Sequence, residues 1–119
     1  MRYMMMIKHS EKQRNEAIPQ ALMDAMGEFV NEGFKNGYLK DTAGLRPTAE
    51  GFRVRLNGGR LKVTDGPFTE AKEVVGGYAI VDLPSREKAL EVAQQFMELH
   101  RIHWPTFEGE SEVRPIEDM

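Results

Sequence analysis

Asp65, His100 and His103 are the side chains whose types could carry acid–base chemistry near neutral pH. A positioned carboxylate can take a proton from a substrate, and an imidazole can give or take one in that range. Asp65 ends an alternating apolar run, directly before Gly66-Pro67-Phe68. There its carboxylate either points into a cleft or caps the turn by bonding the amides of Phe68 or Thr69. His100 and His103 are three residues apart and share one helical face if the helix persists to them. That spacing can also hold a metal, but no third histidine or cysteine stands nearby and Pro105 threatens the helix. The plain alternative is a pair of histidines finishing a helix, favoured by its carbonyl end. His9, at the end of the first apolar run, reads as a surface residue, and no metal or cofactor is expected.

A second group is basic. Arg53, Arg55, Arg60 and Lys62 gather on one face of a predicted hairpin. Like charges facing each other across strands are unfavourable unless acids or a bound anion intervene. Arg53 and Arg55, with Tyr78, are therefore candidates for holding a small anionic ligand; ion pairs with Glu70, Glu73 or a second copy are the alternative. The patch lacks interleaved aromatics, so nucleic acid is not expected as a partner. Sixteen Lys+Arg against nineteen Asp+Glu give a net charge of −3, which argues the same way. With no cysteine, the chain has no disulfide, thiolate metal site or cysteine nucleophile. No Gly-rich phosphate loop or serine nucleophile elbow occurs.

The elements that must position these residues follow from periodicity. Met4-Met5-Met6-Ile7 is too short for a secretory apolar region or a membrane span and suits a buried strand. This places the protein in the cytoplasm, away from membranes. Ile18, Leu22, Ala25, Met26, Phe29, Val30, Gly33 and Phe34 form one stripe, predicting a helix over 17–36 with Gly37 ending it. A short strand is expected around 44–48. Phe52, Val54 and Leu56, then Leu61 and Val63, alternate with polar residues around Asn57-Gly58-Gly59, predicting a hairpin with one face buried. Residues 78–83 form another buried strand. Ser85 caps a helix that buries Ala89, Val92, Ala93, Phe96 and Met97 and ends near 100–104. A last strand is expected at 113–116, with Trp104 and Phe107 covering the core or a subunit seam. Gly76-Gly77 fits a bulge.

One domain over residues 1–119 results, of the α+β class: a ferredoxin-like sandwich with an extra β-hairpin. Two helices cover only one face of a sheet, so a homodimer pairing the open faces is expected.

The run Val63-Thr64-Asp65-Gly66-Pro67-Phe68-Thr69-Glu70-Ala71-Lys72-Glu73, followed by Gly76-Gly77-Tyr78, resembles the signature of the DGPF group within the YCII-related family. Arg2-Tyr3-Met4-Met5-Met6-Ile7 and Glu112-Val113-Arg114-Pro115-Ile116 resemble that group too. The resemblance implies a ferredoxin-like fold in a dimeric α+β barrel. Relatives similar to small lyases or isomerases use a His–Asp pair with the histidine on the first helix. Here no histidine lies between Ala17 and Asn36, and Met26 stands near its place. The functional expectation is a cleft near Asp65 that binds a small polar or anionic molecule. Any reaction would be cofactor-free proton transfer of the lyase or isomerase kind. The competing expectation, from relatives encoded beside extracytoplasmic-function sigma factors, is a regulatory protein that contacts a sigma factor.

Overall fold

The computed structural model describes residues 1–118. Strand β1 (Arg2–His9) is followed by a single helical turn, α1 (Glu11–Arg14), and then by α2 (Gln20–Lys35) and β2 (Leu39–Gly44). The hairpin β3 (Phe52–Asn57) and β4 (Arg60–Asp65) comes next, then β5 (Val74–Asp82), α3 (Arg86–His103) and β6 (Gly109–Pro115). Strands β2, β5, β1 and β6 lie side by side in that order, antiparallel throughout. Setting the hairpin aside, this is the ferredoxin-like arrangement with α2 and α3 on one face. No helix among the described residues is long and apolar enough to cross a membrane.

Alternation along β1 decides which side is packed. Tyr3 and Met5 are buried with Leu39, Val81, Leu83, Ala89, Val92 and Ala93 in one core cluster. Met4 and Met6, pointing the other way, are only half-buried. Across the ladder Met4 faces Ile80 and Arg114, and Met6 faces Tyr78 and Glu112. The sheet thus keeps an uncovered face with an apolar centre.

Several boundaries differ from expectation for local reasons. Helix α2 begins at Gln20 and not at 17, with Pro19 as its N-cap. The strand expected at 44–48 lies earlier, at Leu39–Gly44, because Pro47 opens a 3₁₀ turn at Thr48–Glu50. Strands β5 and β6 each begin about four residues before their apolar runs, since antiparallel partners extend the ladder through mixed sequence. The turn α1 has too few residues to show a period; Ser10 makes it, its hydroxyl accepting from the Gln13 amide at 3.0 Å. The cap at Ser85 and the positive φ of Gly37 (83°) are as the sequence indicated. In the hairpin Asn57 pairs with Arg60, so the loop is Gly58-Gly59, with φ of 58° and 76°. Its apolar face is not buried as expected: Phe52, Val54, Leu56, Leu61 and Val63 are 56–72% exposed.

Candidate functional site

Between the helices and the sheet lies a cavity of about 420 Å³, walled mostly by apolar side chains from β1, α2, β5 and α3. Two histidines line it. His9, the last residue of β1, and His100, in the last turn of α3, are 7% and 6% exposed. Burial of His9 corrects the expectation of a surface position. The apolar run pointed to a strand but gave no hint of what would cover its end. The cover is Phe107, which the chain brings back after α3. Its ring centroid is 6.2 Å from that of His9 and 4.8 Å from that of His100. Trp104 stacks on the same ring at 5.3 Å, so both aromatics wall the cavity.

The local sequence fixes each imidazole. A bulge between Ile7 and Lys8 leaves Gly76 as the extra residue of β5, since Ile7 pairs with Gly77 and Lys8 with Val75. A Cβ on residue 76 would stand 2.0 Å from His9 Nε2, so the ring occupies space that only glycine leaves open. His9 Nδ1 lies 2.9 Å from the carbonyl oxygen of Ser10, and His100 Nδ1 lies 3.0 Å from that of Phe96. A carbonyl can only accept, so Nδ1 carries a proton in both rings and Nε2 is the nitrogen left to exchange one. Burial holds the His100 pKa below its ordinary value, an effect only partly offset by the Phe96 carbonyl, while the charge of His9 pushes the same way as burial. His100 is thus kept neutral, with a lone pair available at Nε2. Gln13 braces this end: buried itself, it accepts from the Glu108 amide at 3.3 Å and donates to Glu16.

Of the residues singled out in the sequence, His100 lines the cavity; Tyr78 borders it from β5 but shares the face of its partner Met6, and Asp65, His103, Arg53 and Arg55 lie elsewhere. Helix α3 does persist through His103, yet only His100 turns inward. Asp65 is exposed at the end of β4, opposite Phe52. The Phe68 amide that it was expected to cap donates instead to the Thr48 hydroxyl, at 3.1 Å. Arg53 sits 3.8 Å above the centre of the Phe68 ring and pairs with Glu70. Tyr78 gives its hydroxyl to Asp41 at 3.0 Å. Among the described residues no cluster of three or more His, Cys, Asp or Glu could hold a metal ion.

The model of the YCII-related domain matches residues 1–100, which take in His9, His100 and most of the cavity lining but not Trp104 or Phe107. The chain belongs to the YCII-related family. This YCII-related chain is also 31% identical over 105 residues to an uncharacterized protein of Rhizobium meliloti (strain 1021), covering 88% of this chain and 77% of that one.

Proposed function

We propose that this YCII-related protein binds a small molecule with an apolar body in the cavity and moves a proton on it through His9 and His100. One observation carries the reading: two buried imidazoles, each with its Nδ1 proton tied to a backbone carbonyl, line a mostly apolar cavity. A neutral Nε2 accepts, so the guest presents an O–H or an acidic C–H to it. Pockets for small ligands have this make-up, with volumes of roughly 300–1,000 Å³ and few polar groups. The expected anionic guest near Asp65 gives way to one held beneath the sheet, because Asp65, Arg53 and Arg55 lie elsewhere. The chemistry is cofactor-free isomerisation or elimination. The uncovered sheet face supports a homodimer as the working form.

Two probes test the reading. 4-Fluorophenol, followed by ¹⁹F NMR, should bind the wild type and bind His9→Phe and His100→Phe at least tenfold more weakly. Cyclohexanone in D₂O should exchange its α-protons faster with the wild type than with either variant. Equal binding and equal exchange in all three proteins would refute the assignment.

A further inference from the structure

The hairpin of β3 and β4 is built as an arm. All six positions pair from Phe52–Asp65 at the base to Asn57–Arg60 at the tip, yet neither strand packs closely on any other element. An isolated two-stranded hairpin is marginal in water unless one face is covered. Here one face is bare and, but for Asp65 at the base, apolar: Phe52, Val54, Leu56, Leu61 and Val63.

The base, by contrast, is tightly anchored. The Gly66 amide donates to the Gly51 carbonyl at 2.9 Å. A Cβ on residue 66 would lie 1.7 Å from the Thr48 carbonyl oxygen. Phe68 is buried beneath the Arg53 guanidinium. Asp65-Gly66-Pro67-Phe68 therefore fixes the angle at which the arm leaves the body.

Charge indicates what the arm meets. Residues 52–65 hold four basic residues and one acidic, net +3, while the rest of the chain holds twelve basic and eighteen acidic, net −6. A second copy thus attracts the arm, and opposed charges of this kind steer association. The same copy offers an apolar landing strip on its uncovered sheet face, where Met4, Met6, Tyr78 and Ile80 are half-buried. That strip is flanked by Arg114 and by Glu112, which with Glu110 holds Lys8. Glu73 shares a hydrogen bond with Glu110, which together with burial and neighbouring carboxylates raises its pKa.

We propose that the arm reaches across to a second copy of the chain and lays its apolar face on that copy's sheet strip, its basic face turned outward. This rests on the homodimer reading and adds the element that makes the contact. Two arms exchanged in this way form an isologous interface.

The absence of cysteine makes the test direct. Light scattering across a dilution series compares the wild type with Leu56→Lys/Leu61→Lys, and circular dichroism confirms that both are folded. In a second experiment Leu61→Cys and Met6→Cys proteins are mixed with a short bismaleimide. The expected results are a wild-type dimer, a dissociation constant at least 100-fold higher in the lysine variant and higher at raised salt, and a mixed cross-linked product. A monomeric wild type would overturn the homodimer reading and the arm with it. A wild-type dimer that the lysine variant leaves intact would overturn the arm alone, as would failure of the two single-cysteine proteins to cross-link with each other. A lysine variant that does not fold shifts the decision to the cross-link.

Discussion

Gly76 and His9 occupy space that a single methyl group would contest. In Gly76→Ala the new Cβ meets Nε2 unless the ring or the strand moves. Overpacking of this kind costs about 1–3 kcal/mol, which a shift in the urea midpoint would read. The same change should weaken 4-fluorophenol binding, while Gly44→Ala, which has open space around it, should cost no such stability. His100 gives a pH signature whose sign is fixed by its burial. Its folded pKa lies below the ordinary histidine value of 6.5, so the unfolded chain takes up the proton first as pH falls. Stability from this group is complete above about pH 6.5 and declines on the acid side. His100→Phe should therefore lose less stability than the wild type between pH 7 and pH 5.5, measured by urea denaturation at each pH. Sequence alone singled out His100 as a titratable residue in a helix. His9 escaped because its cover, Phe107, lies 98 positions away in the chain and no local pattern links the two.

At the level of elements, α2 and α3 were legible because an apolar stripe at helical spacing is a property of the segment itself. Leu22 on that stripe is fully buried, and Leu22→Ala should cost about 2–5 kcal/mol in the urea midpoint. The hairpin was legible in its pairing but not in its surroundings. Period-two alternation says that one face is apolar, and only tertiary structure says whether anything covers it. In sequence the Asp65-Gly66-Pro67-Phe68 turn offers a place for chemistry or for an Asp65 cap. Its role in the fold is mechanical: Thr48 and Gly51 grip it from the preceding turn. Gly66→Ala should loosen that grip. Amides of residues 52–65 should then exchange with solvent faster, by at least tenfold in hydrogen exchange, while the β1–β5 ladder keeps its protection.

On the scale of the molecule, two facts belong together. The helices enclose a cavity on one side of the sheet, and the other side is left open with an apolar centre. A bound guest stabilises the native state by mass action, about 2.7 kcal/mol at one hundred times its dissociation constant. Covering the open face is the work we propose for a second copy. Net charge −3 hides this division, because it averages a basic arm with an acidic body. The central claim is that His9 and His100 present Nε2 to a guest in the cavity, and ¹⁵N NMR of the imidazoles tests it most directly. In the free protein both rings should carry a proton on Nδ1, and the His100 ring should be neutral at pH 7.5. Adding 4-fluorophenol should move both Nε2 resonances and leave that of His103 unchanged. Protons on Nε2 in the free protein, or Nε2 resonances that do not respond to the probe, would contradict the account.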